Sequence, residues 1–120
     1  MIKFDEEKTI HLTRGDETND INILPISFEN RTFNNDKLTL IVFDKKGYRQ
    51  EPILKKEYEV SEGDTFNLVL THEDTMSFPL TNKKKTYWYD LILNDYTTMY
   101  GFDEDNAKKF IVYPGGVIDD

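Results

Sequence analysis

The sequence predicts an all-β domain, a sandwich of two antiparallel sheets with seven to eight short strands. Three observations predict it. Apolar residues recur at period two; Gly, Pro, Asn and Asp turn signals separate the apolar segments; and no stretch of ten or more residues has helical periodicity. The 120 residues suit a single domain with one core. That core is expected over about residues 8–114, with residues 115–120 as a C-terminal tail.

Taken in order, Thr9–Thr13 alternates, with Ile10 and Leu12 on one face, and Arg14-Gly15-Asp16 signals a turn. Asp20–Phe28 reads as the next strand, with Pro25 marking an edge or a bulge, because proline cannot donate to a ladder. Asn30–Asp36 is polar and Asn-rich, a loop. Lys37–Asp44 is the strongest strand signal, and its continuous apolar run places it centrally, before a turn at Lys45-Lys46-Gly47. Pro52–Val60 is a weaker strand and Ser61–Asp64 a turn. Phe66, Leu68 and Leu70 then alternate with Asn67, Val69 and Thr71. His72–Asn82 breaks the pattern, and Glu73-Asp74-Thr75 opens one helical turn with Asp74 or Thr75 as its cap. Thr86–Leu93 returns to alternation, with Tyr87, Tyr89, Leu91 and Leu93 on one face and Trp88, Asp90, Ile92 and Asn94 on the other. Asn94-Asp95 starts a turn. Thr97–Phe102 and Lys109–Tyr113 are the last strands, and Pro114-Gly115-Gly116 ends the fold.

Composition narrows the function classes. Aromatic residues make up 13% of the chain, enough to build a core despite 32% charged residues. The net charge of −8 argues against partners rich in phosphate, both nucleic acid and anionic membrane. The acidic excess sits beyond residue 60, where 5 basic residues face 11 acidic ones. It reads as a solubility surface, with an acidic docking face for a basic partner as the sharper alternative. There is no cysteine, so disulfides, thiolate metal sites and a cysteine nucleophile are excluded. Met1–Lys8 has no apolar core of the kind a signal peptide needs, so none is expected, and no apolar run reaches the length of a membrane span.

No residue set carries a catalytic, cofactor or metal signature. His11 and His72 are the only histidines, and neither has a second histidine at metal spacing; both read as surface or half-buried strand residues. Asp103-Glu104-Asp105-Asn106 is rich in oxygen ligands but lacks the spacing and closing Glu of a calcium loop, so it reads as a solvated loop. Ser27, Ser61 and Ser77 lack a nucleophile-elbow context, and no glycine-rich phosphate loop exists. Arg14-Gly15-Asp16 spells an integrin-binding tripeptide but reads as a tight turn that uses Gly15 for positive φ. Lys83-Lys84-Lys85 reads as a charged guard against edge pairing.

Two aromatic positions leave alternatives. Trp88 is expected in the core between the sheets. Pointing outward near Tyr58, Tyr96 or Tyr100, it would instead form a platform for a sugar or a protein. Immunoglobulin-like sandwiches often place a Tyr near the start of a late strand, its hydroxyl bonded to backbone a few residues upstream. Tyr87 fits that corner, and equally fits an ordinary strand tyrosine.

Several segments, in order, resemble a family of phage and prophage proteins of Gram-positive bacteria: the N-terminal, immunoglobulin-like domain of the baseplate upper protein. They are Ile10–Asp16, Ile21 and Ile23, Leu38–Phe43, Leu54-Lys55-Lys56, Glu73-Asp74-Thr75, Tyr87–Leu93 and Phe110-Ile111-Val112, together spanning residues 9–113. The family usually carries a Gly before the Tyr-x-Tyr-Asp strand, where Lys83–Thr86 stands here. The resemblance implies an immunoglobulin-like antiparallel sandwich and a non-enzymatic virion structural protein of the tail or baseplate. Such a protein docks to other phage tail or baseplate proteins, with homo-oligomerisation in the virion also implied. It would be assembled in the host cytoplasm, without cofactors, nucleic acid or membrane. The alternative is a carbohydrate-binding or adhesin-like β-sandwich module of a bacterial surface or phage protein.

Overall fold

Alternation along the chain sets which side chains meet. In the computed structural model, which describes residues 1–28, 31–45, 51–100 and 108–115, the longest strand is β4 (Phe33–Phe43). It pairs antiparallel with β7 (Lys85–Leu93), setting Leu38, Leu40 and Val42 opposite Leu93, Leu91 and Tyr89. All six are buried. On its other side β4 pairs antiparallel with β5 (Leu54–Gly63). Strand β7 continues to β9 (Lys108–Tyr113), where Phe110 faces Tyr87, and its end pairs with β8 (Thr97–Tyr100) across a bulge at Leu91/Ile92.

Beyond β9 the sheet extends through β2 (Ile10–Thr13) to β1 (Ile2–Phe4), giving the order β1-β2-β9-β7-β4-β5 with β8 beside β7. A second sheet holds β3 (Pro25–Ile26) and β6 (Phe66–Asn67). Leu24, Ile26, Leu68 and Leu70 of that layer join Ile10, Leu12, Tyr87, Leu91 and Phe110 in one core cluster. The protein is therefore all-β, a curled mixed sheet with a small second sheet against its core side.

Several expectations are corrected. Not all pairing is antiparallel, because β2 runs parallel to β9, with Ile10 opposite Phe110 and Leu12 opposite Val112. Nine strands form among the described residues, not seven or eight. The added one, β1, contributes a single buried side chain, Ile2, which is too little to mark a strand in sequence. Strand β4 starts at Phe33, inside the expected loop, and β5 runs to Gly63, through most of the expected turn.

The expected strand Asp20–Phe28 shrinks to β3 and a lone bridge at Phe28. The Asn19 side chain accepts from the Ile21 and Asn22 backbone N–H groups at 2.8 and 2.9 Å, turning the chain locally in place of a ladder. Pro25 does sit on an exposed position of a two-stranded sheet. Only Phe66 and Asn67 pair as β6, although Leu68 and Leu70 keep the alternating burial.

The helical turn forms as α1 (His72–Met76), but its cap is Thr71, not Asp74 or Thr75. Thr71 accepts from the Asp74 N–H, and Asp74 accepts from the Thr71 N–H, a reciprocal box at the helix start. Chain closure at the far end depends on Gly115, where a Cβ would lie 2.1 Å from the Arg14 carbonyl oxygen. Of the turn expected at Lys45-Lys46-Gly47, Lys46 and Gly47 lie outside the described residues, as does the tail beyond Gly115.

Candidate functional site

Two places stand out: the free side of β5, and a depression at one end of β4 and β5. Among the described residues β5 ends the sheet and pairs on one side only, along ten residues. The other end strand, β1, has three. On β5, Lys55, Glu57 and Glu59 are exposed, while Leu54 and Val60 are buried. Tyr58 packs on Phe66 at 5.4 Å and donates its hydroxyl to the Val69 carbonyl, and burial pushes its phenol pKa up. Lys56 pairs with Asp74 at 3.0 Å. These contacts tie β5 to the second layer and hold its free side in place.

The depression has a volume of about 510 Å3 and is lined by Asn35, Asp36, Lys37, Glu59, Ser61 and Asn94, among others. Its wall is braced by Asp36, only 7% exposed, which accepts from Asn94 Nδ2 at 2.8 Å, Asn34 N at 2.9 Å and Arg31 at 3.3 Å. These bonds, led by Asn94, hold the Asp36 carboxyl below the usual carboxylate range. The Asn94 Oδ1 in turn accepts from Lys37 N at 2.8 Å. Lys37 Nζ reaches Asp95 at 2.8 Å, a pairing that raises its pKa.

The residues singled out from sequence do not converge. His11 donates from Nε2 to Asp5 at 2.9 Å, and its Nδ1 lies 2.9 Å from the Tyr113 hydroxyl. Burial raises the Asp5 pKa, but the bonds from His11, Thr9 N and Glu7 N outweigh it and hold the carboxyl below its ordinary value. His72 is on α1, not on a strand, and donates from Nδ1 to the Gly15 carbonyl. Ser77 caps α1 and donates to the Glu73 carbonyl at 3.1 Å. Ser61 lines the depression, and Ser27 follows β3. Neither imidazole bonds a serine among the described residues. No group of three or more His, Asp or Glu there is placed to hold a metal ion, and no helix there is long and apolar enough to cross a membrane.

The Arg-Gly-Asp segment is a tight turn, as expected, with Gly15 at φ 93°. It cannot be presented as a tripeptide, since Arg14 is 1% exposed and donates from Nε to the Phe78 carbonyl at 2.7 Å. Trp88 is not in the core between the layers. It is half-buried on the opposite face of β7, with Lys109 Nζ 6.0 Å from its ring. Tyr58 turns toward the second layer, so it forms no platform with Trp88; the side chain of Tyr100 lies outside the described residues.

Lys85 pairs with Asp44 at 2.8 Å and guards no edge, because β7 is interior. Tyr87 is fully buried and its hydroxyl finds no hydrogen-bond acceptor, so it is not a tyrosine corner. Tyr89 makes a comparable bond, donating to the Lys8 carbonyl at 2.6 Å, but that carbonyl is 81 residues away. The Asp103–Asn106 segment lies outside the described residues.

The depression was missed in sequence because its parts come from two strands, β4 and β5, and the turn after β7. Its one local signal was Asn94-Asp95, read only as a turn. Comparison with models of known protein families, with curated proteins and with solved structures gives no match.

Proposed function

We propose that this chain is a non-enzymatic docking domain, built as an immunoglobulin-like sandwich, that assembles with other proteins of a phage or prophage tail or baseplate. The observation that carries docking is the outer side of β5, ten residues long and without a pairing strand among the described residues. A sheet edge of that length offers a row of N–H and C=O groups to a neighbour's strand, while exposed side chains select the partner. The phage assignment rests on the resemblance over residues 9–113.

Strand order supports the finer fold. The run β9-β7-β4-β5 follows the G-F-C-C′ order of variable-type immunoglobulin domains, and β3 with β6 corresponds to the B–E pair of the facing sheet. Repetition by symmetry around a tail axis would turn one such contact into a ring.

The test is to co-express the chain with the proteins encoded beside its gene and measure complexes by mass photometry. Tail genes as neighbours and a stable complex are expected, with β5 amides gaining protection from hydrogen exchange. A monomer that binds none of those proteins, or protection gained only away from β5, overturns the reading.

A further inference from the structure

We propose that the depression beside β4, β5 and the Leu93–Tyr96 turn is a binding site for a neutral saccharide. The first ground is a local opening in an otherwise regular ladder. Strands β4 and β5 keep one register from Phe33 opposite Gly63 to Val42 opposite Leu54, but Asn35 and Ser61 are not paired. Asn35 there adopts φ 51°. The gap lies two residues from the start of β4, and the positive φ adds strain.

The second ground is that such backbone collects here. Four described non-glycine residues have positive φ; Asn35 and Asn94 line the depression, Asp95 adjoins it, and Lys8 is elsewhere. Both central residues of the Leu93–Tyr96 turn have φ above zero, as a type I′ turn requires, and glycine is the usual choice at the second. Asp95 stands there instead and holds Lys37. Strained positions of this kind cluster at ligand sites.

The third ground is the division of labour among polar groups. Asp36 and Asn94 are engaged with each other and with backbone, forming a fixed floor. The side chains of Asn35, Glu59 and Ser61 make no hydrogen bond or ion pair among the described residues. An amide, a carboxylate and a hydroxyl around one hollow give both donors and acceptors, which is what vicinal sugar hydroxyls need. Tyr96 follows Asp95, is 92% exposed, and lies within electrostatic reach of Lys37. Tyr96 does not line the hollow, but an exposed ring one residue beyond Asp95 offers an apolar face for the C–H side of a pyranose, and its hydroxyl stays wet. The site shares Glu59 and Ser61 with β5, but it is tested on the isolated chain without a tail protein, so its failure and that of the docking reading are distinguishable.

The probes are N-acetylglucosamine, glucose and galactose oligosaccharides, titrated into the isolated chain and followed by amide NMR. Shifts are expected at residues 35–37, 59–61 and 94–96. Tyr96→Ala should weaken binding about tenfold. Asn35→Gly, which keeps the left-handed backbone and removes the amide, should weaken it severalfold while the rest of the spectrum is retained. The proposal is overturned by no shift with any probe up to about 10 mM, by shifts centred on Trp88, or by full affinity in Tyr96→Ala. It is equally overturned if only a cationic peptide binds there, with affinity falling steeply in salt.

Discussion

The seven-stranded sheet and the small layer against it bury leucines equally well by different means. In the sheet, Leu38 and Leu40 are held by ladders on both sides of β4, and Tyr89 by ladders on both sides of β7. In the layer, only two residue pairs form a ladder, between β3 and β6. There Leu24, Leu68 and Leu70 are fixed by scattered bonds instead, from Leu68 N to Leu24 O at 2.8 Å and from Thr18 N to Leu70 O at 2.9 Å. Yet Leu24, Leu40 and Leu70 are 0% exposed, and Leu68 is 1%. Alternation in sequence thus reports which side chains face the core, and regular pairing is a separate property that side-chain turns such as Asn19 override.

The largest expected effect tests whether the two regions share one core. Leu40→Ala and Leu68→Ala should each destabilise the protein by about 2–5 kcal/mol in urea unfolding, because both remove a fully buried side chain and leave a cavity. A cost below about 1 kcal/mol for Leu68→Ala alone would separate the layer from the core.

A smaller effect lies within the sheet and separates burial from bonding. Tyr87 and Tyr89 share a strand and a face, and both are at most 1% exposed. Only Tyr89 has an acceptor for its hydroxyl, the Lys8 carbonyl. Tyr89→Phe should therefore cost about 1 kcal/mol, whereas Tyr87→Phe should be neutral or slightly stabilising. Equal losses in the two variants would show that the Tyr87 hydroxyl finds a partner in solution.

These contrasts explain what the sequence disclosed. The inward faces of β4, β7, β9 and β2 were legible because each repeats apolar residues at period two. The parallel pairing of β2 with β9 was not, since it joins Ile10 to Phe110 and no local pattern encodes a partner a hundred residues away. Trp88 was misplaced for a related reason. Period two gave its strand two faces, and its size suggested the core, but Tyr87 and Tyr89 occupy that side. The depression was illegible because Asn35, Glu59, Ser61 and Asn94 are each ordinary turn or edge residues until β4, β5 and the turn after β7 bring them together.

The smallest expected effect is acid sensitivity at the braced end of the sheet. Asp36 has its pKa held down in the folded state, chiefly by the Asn94 amide and the Asn34 N–H. A depressed folded pKa adds stability above the unfolded value, and that stability is lost as pH falls through the folded one. Urea midpoints should therefore hold steady from neutral pH to about pH 5 and fall below about pH 4. Asp36→Asn, less stable at neutral pH, should lose less on acidification, because an amide has no proton to gain. Asp5, near β1 and β2, is depressed as well. If Asp36→Asn keeps the full slope, the acid response belongs to Asp5 and the His11 bond, and an Asp5→Asn variant should then flatten it.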